Sequence, residues 1–195
     1  MEIGNLRLNV CQRKLCNETG VNNVSSCQPH WSYYMSLEDD LIETGRYVEI
    51  CEDNFDTYST QFTRLLLAAA SEVDVVAKQL CRQIDPTGTH RNINDYNSVI
   101  VPRFPAIPVM QLGIQWNPVW VRPWGSWGAP TPSNPNWWHA YNDVKHERNA
   151  NFKSGNLRNA LTAIAGLHCL VRHLEEDKGQ PKQSRFLRIV SSSSP

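Results

Sequence analysis

Apolar residues recur at helical spacing in several stretches of this chain, and polar or Pro/Gly-rich segments separate them. The strongest stretch runs from Tyr58 or Ser59 to about Ile84. Phe62, Leu65, Leu66, Ala69, Val73, Val76, Ala77 and Leu80 fall on one broad face, the pattern of an amphipathic helix against a core. Ala68, Ala69 and Ala70 let a neighbouring helix approach closely, and Asp85-Pro86-Thr87-Gly88 ends the run. An earlier helix is predicted from Ser36, whose hydroxyl can cap free N–H groups, with Leu37, Leu41, Val48 and Phe55 as its stripe. Glu38, Asp39, Asp40 and Glu43 fall mostly off that stripe and read as a solvated, dipole-compensating face. Asp53 to Thr57 interrupts or bends it, because these side chains compete for backbone hydrogen bonds. Asn92 or Asn94 caps a short helix carrying Ile93, Tyr96 and Ile100, stopped by Pro102. The last long helix is capped by Ser154 or Asn156, with Leu157, Leu161, Ile164, Leu167, Val171 and Leu174 inward. His168 lies in that stripe and reads as a hydrogen-bonded core histidine.

Between Pro102 and Pro135 the pattern changes. Eight of the twelve prolines and four of the seven tryptophans lie there, and no helix survives that density of proline. Ile107 to Met110 and Val119 to Arg122 are candidate strands of a small hairpin. The prediction is an all-α bundle of about four to five helices with a Pro/Trp-rich irregular insertion at residues 102–135. Residues 1–35 form an irregular lead-in that holds one alternating run, Leu6 to Val10. Residues 36–177 form the helical domain. Residues 178–195 form a flexible tail with one strand-like run, Arg185 to Val190.

Composition narrows the classes. With 195 residues the chain is one domain with appendages. Lys+Arg and Asp+Glu are both 19, for zero formal charge, which argues against a protein that coats nucleic acid non-specifically. No apolar run approaches membrane-spanning length, and the start does not read as a signal peptide, so a cytoplasmic location is expected. There the six cysteines are expected as thiols. Cys11, Cys16, Cys27 and His30 are a conceivable zinc set, but no close cysteine pair is present, so no metal and no cofactor are expected.

The candidate chemistry concentrates in Trp137-Trp138-His139-Ala140-Tyr141-Asn142-Asp143-Val144-Lys145-His146-Glu147-Arg148. On a helix, His139, Asn142 and His146 share one face at steps of three and four. Lys145 and Arg148 share the adjacent face, with Trp138 above Lys145. Imidazoles move protons near neutral pH. Lysine and arginine hold phosphate and stabilise charge developing on it. This combination suits phosphodiester cleavage. Asp143 lies four residues from His139 and three from His146, so ion pairing within the helix is the plainer alternative. Glu72 sits at the edge of the apolar face of its helix, where a carboxylate needs a partner; a structural ion pair is favoured over a role in orienting a functional cation.

The helix reading Tyr-Asn-x-x-Lys-His-x-Arg, followed by a capped Ala/Leu-rich helix from Leu157 to Leu174, resembles the C-terminal half of HEPN-type domains. Ser71-Glu72 and Lys78 within a long Leu/Ala helix resemble their first half. The resemblance spans Ser36 to Asp177, with the Trp/Pro segment as an insertion. It implies an all-α, homodimeric protein of a prokaryotic toxin–antitoxin or anti-phage system. It further implies either a metal-independent ribonuclease or a non-catalytic binder of RNA or nucleotides. The superfamily's catalytic arginine, followed after about four to six residues by histidine, is absent here; Arg82 and His90 come nearest. By the resemblance, His146 would act as general base or acid, with Lys145 supplying positive charge as a point charge rather than a bidentate fork. Asn142 would orient, Arg148 and His139 would contact substrate, and Glu72 and Asp143 would stand behind them. The competing expectation is a non-catalytic scaffold that binds a protein through Trp116, Trp120, Trp124 and Trp127.

Overall fold

The computed structural model describes residues 29–175 and 183–190. Helices α1 (Pro29–Thr44), α2 (Thr60–Ile84), α3 (Ile93–Arg103), α4 (Asn136–Glu147) and α5 (Leu157–Glu175) dominate it. Strands β1 (Gln111–Ile114), β2 (Trp120–Val121) and β3 (Leu187–Val190) form one small antiparallel sheet in the order β2-β1-β3. The fold is therefore largely helical, in the class the periodicity predicts. The Leu6 to Val10 run, Cys11, Cys16, Cys27 and the serine-rich end lie outside the described residues.

The two helices with the clearest stripes form the centre. α2 and α5 share the most extensive contact in the fold, α1 and α4 pack on both, and α3 packs on α2. Every residue of the predicted α2 face is buried, as are Leu157, Leu161, Ile164, Leu167, Val171 and Leu174 of α5. Each such large side chain contributes roughly 1.5–3 kcal/mol by leaving water. The caps are local. Ser59 accepts a hydrogen bond from the Phe62 N–H at 3.0 Å, Asn92 accepts from Asn94 and Asp95, and Asn156 accepts from Asn159 at 3.0 Å.

The first helix differs from its prediction. α1 is already helical at Pro29, and Ser36 lies inside it, donating its hydroxyl to the Tyr33 carbonyl at 2.7 Å. It ends at Thr44, before Gly45, a weak helix former. Val48 and Phe55 thus belong to the following turns. Glu38 is not on a solvated face: it is fully buried. Its carboxylate accepts the Tyr34 hydroxyl at 2.5 Å, the Ser184 hydroxyl, and the backbone N–H groups of Arg185 and Phe186. Burial, with the adjacent Glu38 charge, pushes the Tyr34 hydroxyl pKa well above its ordinary value. Residues 183–190, assigned to a tail by sequence, are held to α1 by this carboxylate and to β1 by pairing of Gln111–Ile114 with Leu187–Val190.

The hairpin forms, but one strand is displaced from its predicted place. Ile107–Val109 is a short 3-10 turn containing Pro108, and the first strand is Gln111–Ile114, which pairs Leu112 with Val121 and Gly113 with Trp120. Beyond it the insertion plugs the bundle. Trp124 and Trp127 are buried, with ring centroids 4.1 Å apart, and Trp137 of α4 stacks edge-on to Trp124 at 5.2 Å. Both indoles that reach the centre are hydrogen-bonded: Trp124 donates to the Gly166 carbonyl at 3.2 Å, and Trp137 to the Pro123 carbonyl at 2.9 Å.

His168 of α5 is buried between Trp31 and Tyr34, with ring centroids 6.0 and 5.2 Å away. Contrary to expectation, neither ring nitrogen has a hydrogen-bond partner among the described residues. Burial, aided by the nearby charges of Arg172 and His173, lowers its pKa from 6.5 to about 4.

Two outcomes follow. Trp124→Ala removes a fully buried indole and is expected to lower stability by about 3–5 kcal/mol in urea unfolding. His168 is neutral in folded and unfolded chains above pH 6.5. As pH falls from 6.5 towards about 4, the unfolded chain gains a proton that the folded chain refuses. Stability therefore falls across that window, by at most roughly 3 kcal/mol, and this contribution levels off below it. Melting curves from pH 7 to pH 4 are expected to show a smaller loss for His168→Phe than for the parent.

Candidate functional site

α4 presents its polar residues because its apolar ones are fixed inward. Trp137, Trp138, Ala140, Tyr141 and Val144 are buried. His139, Asp143, Lys145 and His146 are exposed, Asn142 is half-buried, and Arg148, the exposed residue just after the helix, keeps helical backbone angles. The packing therefore turns the predicted polar face outward.

The structure brings together part of the predicted set. Lys145, His146 and Arg148 line an open depression of about 490 Å³, along with Glu147, Asn149 and Ala150. His139 and Asn142 do not line it. The Asn142 side-chain amide donates to the Trp138 carbonyl at 3.0 Å, a bond within α4. The Lys145 ammonium lies 5.3 Å from the centroid of the Tyr141 ring, and that ring packs on Trp138 at 5.2 Å. A cation over an aromatic face is held loosely and stays available to an anion. Tyr141 was missed as a contributor; its position four residues before Lys145 was the available signal.

The two acidic residues expected behind the site do not stand there. Glu72 pairs with His30 at 2.5 Å, tying α2 to the start of α1. The plainer alternative, pairing of Asp143 with His139 or His146 within the helix, is not formed among the described residues. Glu147 shares the depression but likewise makes no ion pair with Lys145, His146 or Arg148.

The four tryptophans named as a partner surface divide. Trp124 and Trp127 are core, whereas Trp116 and Trp120 are 65% and 53% exposed. His30 is taken up by Glu72, and the three cysteines grouped with it lie outside the described residues. Among the described residues, no three or more His, Cys, Asp or Glu side chains are grouped to hold a metal ion. No helix among them is long and apolar enough to cross a membrane. Cys81 and Cys169 are buried free thiols whose pKa values burial pushes up to about 12, which leaves them protonated and unreactive. Comparison with known family models, curated proteins and solved structures finds no match to this chain.

Proposed function

We propose that the chain is a HEPN-like helical protein of defence or toxin–antitoxin type that binds RNA on the outer face of α4 and cleaves it without a metal. One observation carries this reading: Lys145, His146 and Arg148 line one open depression, and among the described residues no carboxylate forms an ion pair with them. Two cations beside an accessible imidazole suit a phosphodiester. A neutral His146 ring takes the proton of a ribose 2′-hydroxyl as that oxygen attacks the neighbouring phosphorus. The bond from phosphorus to the 5′-oxygen breaks, a 2′,3′-cyclic phosphate forms, and the departing oxygen takes a proton from solvent. Lys145 and Arg148 stabilise the negative charge that builds on the phosphate oxygens. His139 and Asn142, outside the depression, serve at most the flanking nucleotides. Homodimerisation belongs to the same proposal.

A second reading rests on Trp116 and Trp120. Two large exposed aromatics on the insertion favour a non-catalytic module that docks a protein partner there. Trp124 and Trp127 take no part in it, because they are core.

The two readings separate in one experiment. Full-length protein and a His146→Ala variant are incubated with single-stranded RNA, with and without EDTA. The RNA reading expects cleavage that survives EDTA and drops by about 10²-fold or more in the variant. Equal products from both proteins, or none from either, would remove the catalytic claim and leave the binding module.

A further inference from the structure

The small sheet leaves the outer side of β3 open. β3 pairs with β1 on one side, and no strand lies along its other side among the described residues. One bond fixes which way its backbone groups point. The Gln115 N–H donates to the Phe186 carbonyl at 3.0 Å, and in an antiparallel ladder the bonded positions recur at every second residue. Arg188 and Val190 therefore turn their backbone groups towards β1, and Leu187 and Ile189 turn theirs outward. The Leu187 N–H is taken up on that outer side by the Ser184 hydroxyl, at 2.6 Å. The Leu187 carbonyl and both backbone groups of Ile189 have no partner among the described residues. An edge with unpaired N–H and C=O groups is a template for another extended chain.

A cavity of about 250 Å³ borders this edge. Leu187, Arg188 and Ile189 all line it, so side chains from both faces of β3 take part. α5 closes it through His168 and Arg172. The ring nitrogens of His168 are covered, so the accessible charge is that of the arginines. No Asp or Glu side chain lines the cavity. Arg188 is exposed, and no carboxylate pairs with it among the described residues. The carboxylates beside this segment are already engaged. Asp39 pairs with Arg185 at 2.5 Å, and Glu38 is enclosed by Tyr34 and residues 184–186. The edge is thus cationic on one flank and apolar on the other.

We infer that the outer edge of β3 docks an extended segment of a partner protein in which apolar and acidic residues alternate. The segment adds a fourth strand to the sheet. Its main chain accepts from the Ile189 N–H and donates to the Leu187 and Ile189 carbonyls, the pattern of strand addition. Its apolar side chains continue the Leu187–Ile189 face towards α5, where Ile189 is 37% exposed. Its acidic side chains fall on the Arg188 face, where opposite charges on neighbouring strands attract. Unpaired backbone groups in this alternation match a polypeptide rather than a nucleic acid, whose backbone carries phosphates instead. The edge uses neither the Lys145–Arg148 rim nor Trp120, so it stands apart from both readings above.

Fluorescence anisotropy of a labelled, end-blocked hexapeptide of alternating valine and glutamate tests it. The valine–lysine counterpart and oligouridylate serve as comparisons, and each variant is checked for an unchanged melting curve. The glutamate peptide is expected to bind, and the lysine peptide to bind about tenfold more weakly or worse. Arg188→Glu should weaken the glutamate peptide by about tenfold or more, because like charges then face each other. Ile189→Pro removes an outward N–H and leaves the β1 ladder intact, a change that sheet edges tolerate, and should abolish binding. Trp120→Ala should leave the affinity unchanged, and oligouridylate should not displace the peptide. The inference is overturned if the glutamate peptide does not bind, if the lysine peptide binds as tightly, or if oligouridylate displaces it. It is equally overturned if the Arg188 or Ile189 variant binds like the parent, or if Trp120→Ala weakens binding as much as Arg188→Glu does.

Discussion

The absence of a side chain at position 166 governs where α4 lies. Gly166 is buried in the middle of α5, and the edge of Trp137, the Pro123 ring and the edge of Trp124 all close on it. A Cβ there would stand 3.2 to 3.4 Å from these three groups, tight against two indoles that are themselves tethered. Trp124 is fixed by its bond to the Gly166 carbonyl, and Trp137 by its bond to the Pro123 carbonyl. Insertion, α4 and α5 are thereby joined at one point. Glycine in a helix interior costs about 0.5–1 kcal/mol relative to alanine, a cost small beside the burial of two tryptophans. Because Trp137 faces that point, the helical period turns His139, Lys145 and His146 away from it.

The second theme is the distribution of charge in a chain of zero formal charge. Several carboxylates are engaged far from α4. Glu38 is buried against residues 184–186, and Glu72 holds His30. Asp74 holds Lys78 and the Tyr96 hydroxyl, and Asp39 holds Arg185. Among the described residues, no carboxylate pairs with Lys145 and Arg148 at one end of α4, or with Arg122 and Arg158 near the other. Local cationic surface thus arises without a basic excess, which overall composition alone cannot reveal.

Sequence made legible what is decided within a few residues. The α2 and α5 faces, and caps at Asn92 and Asn156 as one of two candidates each, depend on local spacing and were readable. The outward turn of Lys145, His146 and Arg148 was readable for the same reason. What escaped was set by distant parts of the chain. Glu38 looked solvated because, Tyr34 apart, its partners lie 146 positions away or more. Glu72 is the structural ion-pair residue its position suggested, rather than support for the α4 cations, but nothing local pointed to His30 as its partner. Two tryptophans of the insertion are core and two are exposed, and no periodicity separates them.

If the outer face of α4 is a polyanion surface, its two cations must release counterions when RNA binds. The most direct measurement is the salt dependence of affinity for a labelled single-stranded RNA, by fluorescence anisotropy, for the parent and for Lys145→Ala combined with Arg148→Ala. The parent should bind at low salt, and the log–log slope should shrink by about 1.4 in the variant, near 0.7 for each lost phosphate contact. No binding at low salt, or identical slopes for the two proteins, would contradict the assignment of this face to RNA.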